Sequence, residues 1–155
     1  MDLKTGEKEF IQAKKSALRL LKVRNRSERE IRDRFKIKRY DDKIIDGVIQ
    51  YLCAHQLLDD RQFTKEWVET RLNRSYGLKK IAFELKAKGI SDELIKEALE
   101  SVKENFSDDA VMALALKRAE KYKNLDKTER NQKIFNYLAY RGFDIDTIQA
   151  AIHKL

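Results

Sequence analysis

The chain has 155 residues, which suits one domain or a short series of repeats rather than a multidomain enzyme. Hydrophobic residues make up 42% and charged residues 39%, with 34 Lys and Arg against 26 Asp and Glu, so a disordered tail is excluded. Pro is absent and Gly occurs five times, which excludes an all-β sandwich or barrel because such folds need many turn residues. The composition therefore predicts an all-α protein.

Three amphipathic helices are predicted at intervals of about 50 residues. They cover residues 11–24, 60–73 and 108–122, and each carries apolar side chains at helical spacing. Start signals agree with this pattern, because Ser27-x-x-Glu30 is a capping box and Ser91 precedes a further apolar run. Each long helix is followed by a region whose pattern indicates two short helices.

The region that follows each long helix repeats. The apolar pattern that begins at Ile31 recurs from Ile81 and again from Ile134, in each case as an i, i+4 pair, a break and a second helical pattern. Gly89 and Gly142 fall at the break in the second and third copies, where a left-handed residue commonly ends a helix. Arg39 takes that place in the first copy, so the break there is less well marked.

These patterns predict an all-α fold of three tandem three-helix repeats stacked into an elongated, curved array. The expected organisation is an N-terminal extension at residues 1–12 and repeats at 13–58, 59–106 and 107–155. Phe35, Phe63, Trp67 and Phe143 lie in phase with the apolar positions and are predicted to be core residues.

The positive charge is concentrated in the first two repeats. Residues 11–90 hold 21 bases and 11 acids, a net charge of +10, whereas residues 1–10 and 91–155 are each at −1. A solvated helical face is the commonest explanation of such a run. However, Lys15, Arg19 and Lys22 lie on one helical face, where like charges repel, and this favours a polyanionic or acidic partner.

We therefore predict a basic track that crosses repeats one and two and fades in repeat three. Its residues are Lys15, Arg19, Lys22, Arg24, Arg26, Arg29, Arg32, Lys36, Arg71, Arg74, Lys79, Lys80, Lys86 and Lys88. Tyr76, in the turn ahead of Gly77, is a lone candidate for stacking on a nucleic-acid base.

Catalytic and metal-binding motifs are missing from the sequence. The spacing of Cys53 and His55 matches no usual zinc pattern, and no Walker A loop, dinucleotide turn or nucleophile elbow occurs. The acid pairs at 41–42, 59–60 and 108–109 fall at predicted helix starts, where carboxylates cap amides. We therefore expect a protein that is not an enzyme, with no catalytic residue, no metal site and no cofactor.

The compartment is predicted from cysteine usage and hydropathy. A single cysteine cannot form an intramolecular disulfide, which fits a reducing compartment. No run of about 18 apolar residues occurs, and the first twelve residues lack the apolar stretch of a secretion signal. We expect a soluble, cytoplasmic monomer without a membrane partner.

Residues 56–72 run Gln-Leu-Leu-Asp-Asp-Arg-Gln-Phe-x3-Trp-Val-x2-Arg-Leu and resemble the signature of the RecX family of regulatory proteins. The segments 76–90 and 17–31 also resemble that family, so the match covers most of residues 13–100, and the third repeat agrees more loosely. Lys38-Arg39 departs from the Lys-Gly that the family has in the first repeat.

The resemblance implies a regulator of the RecA recombinase. Such a protein binds RecA and its filament on single-stranded DNA and inhibits filament growth, ATP hydrolysis and strand exchange, with a role in recombination, DNA repair and the SOS response. The basic track would contact DNA phosphates, acidic RecA surface or both. The alternative is a sequence-nonspecific helical DNA-binding protein that acts without RecA, since a three-helix unit with a basic helix resembles a helix-turn-helix reader.

Overall fold

A computed structural model describes residues 3–104 and 106–155. All regular structure in these residues is helical, which confirms the predicted all-α fold of three three-helix units. The helices are α1 (Leu3–Val23), α2 (Glu28–Ile37), α3 (Asp42–Ala54), α4 (Asp60–Asn73), α5 (Leu78–Ala87), α6 (Asp92–Lys103), α7 (Asp109–Lys121), α8 (Lys127–Arg141) and α9 (Ile145–His153). No helix in the described ranges is long and apolar enough to cross a membrane.

Each set of three consecutive helices encloses a core of its own. We call α1–α3 unit 1, α4–α6 unit 2 and α7–α9 unit 3, and the helices pack chiefly within these units. The repeated apolar pairs at 31 and 35, 81 and 85, and 134 and 138 are fully buried, one pair at the centre of each core. Burying one such side chain stabilises the fold by about 1.5–3 kcal/mol.

Two details differ from the expected organisation. α1 begins at Leu3, and Phe10 packs on the core of unit 1, so residues 3–12 continue the first helix and are no separate extension. Residues 1 and 2 of that predicted extension lie outside the described residues. Phe106 packs against Phe143, with 6.3 Å between ring centroids, and therefore belongs with unit 3 rather than with the second repeat.

Short polar side chains begin most of the helices, as their positions in the sequence predict. The Ser27 hydroxyl accepts a hydrogen bond from the Glu30 amide at 3.2 Å, and the Glu30 carboxylate accepts one from the Ser27 amide at 3.1 Å. This is the predicted capping box at the start of α2. Asp41, Asp59 and Ser91 cap α3, α4 and α6 in the simpler one-way manner.

The second helix of every unit ends on a residue in the left-handed region. Gly89 and Gly142 have φ of 77° and 92°, as their positions predict, and Arg39 has φ of 60°. In each unit the next amide, that of Tyr40, Ile90 or Phe143, bonds back to the carbonyl five residues earlier, at 3.1–3.2 Å. The break in the first copy is therefore as sharp as the others, although a non-glycine residue in this region costs about 1–2 kcal/mol.

The second helices of neighbouring units meet end to end. At the junction of units 2 and 3, the amides of Gly77 and Lys79 donate to the carbonyls of Arg141 and Gly142 at 2.9 and 3.2 Å. Gly77 starts α5 without a side-chain cap, so the carbonyls at the end of α8 satisfy amides at the start of α5. The partial charges at these two helix ends are opposite, which makes the contact attractive.

The junction of units 1 and 2 repeats this arrangement with side chains. The Ser27 hydroxyl donates to the Lys88 carbonyl at the end of α5 at 2.7 Å, while the Lys88 ammonium bonds to Glu30 at 2.9 Å. The Glu28 amide, in the first turn of α2, donates to Asp60 of unit 2 at 2.8 Å. Asp60 thus caps the neighbouring unit's helix rather than its own. The inter-unit hydrogen bonds within the described ranges all join consecutive units, so the units form a series.

Glu30 is the charged centre of the junction between units 1 and 2. Burial opposes its ionisation, but hydrogen bonds from Arg24, Lys88 and the Ser27 amide outweigh burial and lower the pKa of Glu30 from 4.5 to about 2. A group whose pKa is lower in the folded chain than in the unfolded chain stabilises the fold above its unfolded value. That contribution is lost as the pH falls from 4.5 towards about 2.

We expect a Glu30→Gln variant to be less stable than the parent chain at neutral pH. Gln keeps an oxygen for the capping box but cannot pair as an anion with Arg24 and Lys88. The gap between the two free energies of unfolding should narrow as the pH falls from 4.5 to about 2, because over this range a proton binds the carboxyl of the unfolded parent chain more readily than that of the folded chain. Urea denaturation across that range measures the gap, and a constant gap would show that the carboxylate charge is not involved.

The glycines that end α5 and α8 give a matched pair of substitutions. Both Gly89→Ala and Gly142→Ala should cost about 1–2 kcal/mol because both glycines are left-handed. A methyl group at Gly142 would also lie 2.4 Å from the Lys80 amide nitrogen, whereas the three atoms nearest to one at Gly89 all belong to the Arg29 side chain. Gly142→Ala should therefore be less stable than Gly89→Ala by at least about 1 kcal/mol. Equal free energies of unfolding would argue against the tight backbone contact.

Candidate functional site

The α1 part of the basic track is an exposed stripe. Lys15, Arg19 and Lys22 are all exposed, and among the described residues none lies within 4.0 Å of a carboxylate. Lys38, beyond the end of α2, donates to Ser16 at 2.9 Å, which brings the basic end of α2 close to this stripe. The three charges stay free to attract an anion because neighbouring acids do not neutralise them.

The outer faces of α2 and α5 extend the basic surface. Arg29, Lys36, Lys79 and Lys86 are exposed. Two of them have loose partners, Arg29 with Asp33 at 3.6 Å and Lys86 with Asp92 at 3.3 Å, and all four of those side chains are more than half exposed. Ion pairs of this kind contribute little and exchange readily with a stronger anion. These four residues therefore remain available for binding.

Four other residues of the predicted track form close ion pairs with carboxylates of the chain. Arg24 forms two bonds to Glu30 at 2.8 and 3.1 Å, and Lys88 binds the same carboxylate. The remaining pairs are Arg32 with Glu28 at 2.7 Å and Asp46 at 2.6 Å, and Arg71 with Glu84 at 2.6 Å. Glu30, Asp46 and Glu84 reach these bases through the folding of the chain, whereas Glu28 lies one helical turn before Arg32. We infer that these four bases serve mainly to stabilise the fold rather than to bind a partner.

Arg26, Arg74 and Lys80 occupy the junctions. The Nε of Arg26 is buried without a hydrogen-bond partner, and burial together with the charge of Arg24 lowers the pKa of Arg26. Arg74 is exposed, and its carbonyl accepts a bond from Arg141 at 3.0 Å. The Lys80 ammonium lies 4.6 Å from the centre of the Tyr140 ring. Each of these residues thus lies where two helices or two units meet.

The predicted aromatic roles are only partly confirmed. Phe35, Phe63 and Phe143 are buried, as expected for core residues. Trp67 is half-buried instead; its indole donates to Glu84 at 3.1 Å, and Arg71 and Lys88 each lie 4.4 Å from its ring centre. Both cation–π contacts lie within unit 2, and Lys88 in turn binds Glu30 of unit 1.

Tyr76 is not the free stacking residue that its position in a turn suggested. It is half-buried, and the guanidinium groups of Arg141 and Arg71 lie 4.3 and 5.3 Å from its ring centre. Because these cations already lie against the ring, Tyr76 helps to join units 2 and 3. The sequence could not show this, since Arg141 lies 65 positions further along the chain.

Phe83 is an aromatic residue that the sequence analysis did not select. Its side chain is 70% exposed on α5, between the fully buried Ile81 and Leu85. The sequence does indicate its exposure, because Phe83 is out of phase with that apolar pair and must face outward on a helix. Tyr140 on α8 is 72% exposed as well.

The chemistry available at this surface is that of anion binding. Within the described ranges no group of three or more His, Cys, Asp or Glu is arranged to hold a metal ion. Cys53 is exposed, and burial of part of its side chain raises the pKa of the thiol, which makes it a poorer nucleophile at neutral pH.

Comparison with known proteins matches three family models along the chain. Residues 13–52 match the first three-helix domain of RecX, residues 59–99 the second and residues 107–152 the third. The three models follow the order of units 1, 2 and 3.

Individual relatives and a solved structure agree with these matches. The regulatory protein RecX of Clostridium perfringens (strain 13 / Type A) is 32% identical, over 96% of this chain and 71% of the relative. That of Bacillus licheniformis is 39% identical, over 90% of this chain and 54% of the relative. The crystal structure of RecX from Lactobacillus salivarius superposes with a TM-score of 0.83 at 25% identity, covering 96% of this chain and 97% of that one. The chain belongs to the RecX family of regulatory proteins.

Proposed function

We propose that this chain regulates the RecA recombinase by binding RecA and its filament on single-stranded DNA. Bound in this way, it inhibits filament growth, ATP hydrolysis and strand exchange, and so modulates recombination, DNA repair and the SOS response. Family membership supports a regulatory role, since the relatives are named regulatory proteins. The observation that carries the proposal is the exposed basic surface of α1, α2 and α5, on which the α1 bases have no carboxylate partner among the described residues and two of the bases on α2 and α5 have only loose, exposed ones.

The serial arrangement of the units suits a filament as the target. A filament offers the same surface many times, and a chain with basic helices on consecutive units can contact more than one copy at once. Linked contacts raise the effective concentration of each further contact, so moderate individual affinities add up to tight binding. The protein then works in the cytoplasm as a monomer without a nucleotide or other cofactor of its own.

The decisive experiment titrates RecA ATPase activity and DNA binding side by side at two salt concentrations. We expect the chain to lower ATP hydrolysis by RecA on single-stranded DNA at or below the stoichiometry of RecA. Unchanged hydrolysis at stoichiometric protein and low salt would overturn the proposal.

The second candidate is a sequence-nonspecific helical DNA-binding protein that acts without RecA. The basic outer faces of α2 and α5 favour it, because such faces can bind phosphates in any nucleic acid. It predicts strong, salt-sensitive DNA binding together with unchanged RecA activity. The same titration separates the two candidates.

Charge reversal of the α1 stripe tests the binding surface. We expect Lys15→Glu, Arg19→Glu and Lys22→Glu together to weaken binding to single-stranded DNA or to the filament at least tenfold. The slope of log affinity against log salt should fall by about 2, since each lost phosphate contact removes about 0.7. Filter binding over a salt series measures both effects.

A matched control reverses three exposed bases outside the track, Lys96, Lys103 and Lys117. It changes the net charge by the same amount and should leave the salt slope almost unchanged. Both triple variants should melt near the parent temperature because surface charges contribute little to stability. Equal loss of binding in the two variants would mean that overall charge, rather than the α1 stripe, attracts the partner.

A further inference from the structure

Phe83 lies at the middle of the exposed face of α5. At 100° per residue, Lys79 and Lys86 fall on one side of it and Lys80 on the other, while Ile81 and Leu85 point to the core. Three lysines therefore share the outward face of α5 with Phe83, along about two turns of helix. A single exposed apolar residue needs no explanation, but an aromatic ring at the centre of a cationic face is unusual for a solvated surface.

Tyr140 places a second exposed ring beside the same face. It lies two residues before Gly142, whose backbone packs against Lys80 in the first turn of α5. The Lys80 ammonium lies 4.6 Å from the Tyr140 ring centre, and Phe83 follows Lys80 after one turn, about 4.5 Å further along the helix axis. Rings from units 2 and 3 thus flank one lysine at the junction.

The acids near this face leave it cationic. Asp92 pairs with Lys86 at 3.3 Å, with both side chains more than 70% exposed. The pKa of Asp144 is lowered chiefly by the hydrogen bond from the Thr147 amide and to a smaller degree by the charge of Lys79. Glu84 points away, towards Arg71 and Trp67. Lys80 keeps the ring of Tyr140 as its neighbour rather than a carboxylate.

We propose that Phe83 and Tyr140 form a stacking platform for unpaired bases of single-stranded DNA, with Lys79, Lys80 and Lys86 binding the phosphates. This inference rests on the proposed function, which brings such DNA to the surface. Aromatic rings and basic side chains in alternation are the common means of binding single strands without sequence preference. Duplex DNA is a poorer fit because its bases are already stacked on one another.

The chemistry of the face favours DNA over a protein partner. A protein contact built around Phe83 would need further apolar side chains to enclose the ring, and the outward neighbours on α5 are lysines and Ala87. Phosphates alternate with bases along a single strand at a spacing that ammonium groups one turn apart can follow. Both rings are also open enough for a base to stack, at 70% and 72% exposure.

The test measures binding of the whole chain, without RecA, to a labelled oligo-dT and to an abasic oligonucleotide of equal length. Both probes carry the same phosphates, and only the first carries bases. We expect the parent chain to prefer oligo-dT at least about fivefold, since stacking on one ring is worth that factor or more. Phe83→Leu and Tyr140→Leu should each reduce the affinity for oligo-dT about fivefold and leave the abasic probe unaffected.

Conservative and distant variants serve as controls. Phe83→Tyr and Tyr140→Phe keep the rings and should keep the preference for oligo-dT. Leu116→Ala removes another exposed apolar side chain, on α7, and should change neither affinity. Melting temperatures confirm that every variant is folded.

Three results would overturn the platform. The parent chain could bind both probes equally, the double Leu variant could keep its preference for oligo-dT, or the Leu variants could lose binding to RecA alone while keeping that preference. The last result would assign the rings to a protein contact. RecA ATPase assays run in parallel keep the two proposals separate. If the chain inhibits RecA but shows no preference for oligo-dT, the proposed regulatory function stands and the stacking platform is wrong. If it prefers oligo-dT but does not inhibit RecA, the regulatory function is wrong and the stacking platform stands.

Discussion

The end-to-end contact between second helices is the interaction on which the rest of the structure depends. The start of α5 has no side-chain cap of its own and takes the Arg141 and Gly142 carbonyls of unit 3. The first turn of α2 likewise bonds to Asp60 of unit 2. Units of about 50 residues are marginal alone, and here the next unit supplies part of the hydrogen bonding at the starts of α2 and α5. The hydrogen bonds at these helix starts therefore both stabilise the units and fix how consecutive units are placed.

This docking also divides the positive charge between two roles. Arg24 and Lys88 converge on Glu30, and the charge of that partly buried carboxylate helps to hold units 1 and 2 together. Lys15 and Lys79, by contrast, lie on the outside, where a partner can reach them. The net charge of +8 is thus a poor measure of binding strength. What matters for a polyanion is the subset of bases that folding leaves without a carboxylate.

The fold could be predicted from the sequence because its causes are local. The period of the apolar positions, the capping box at Ser27 and the glycines at 89 and 142 act within a few residues, and each has the predicted effect. The candidate site was harder, because pairing joins distant residues. Arg71 meets Glu84 and Tyr76 meets Arg141 only after the helices pack. The exposure of a side chain can be predicted where the residue is out of phase with the buried positions of its helix. Phe83 is such a residue, since it lies between the buried Ile81 and Leu85 and is exposed.

The left-handed residue that ends each second helix differs according to whether another unit docks there. Gly89 and Gly142 each lie against a helix start of the preceding unit, so close that a side chain there would collide with Arg29 or with the backbone of Lys80. Arg39 adopts the same left-handed conformation at the end of α2, where no inter-unit hydrogen bond is formed within the described residues. Glycine is therefore needed at the two ends that receive a neighbouring helix, whereas at the undocked end a side chain is tolerated with backbone strain as its only cost.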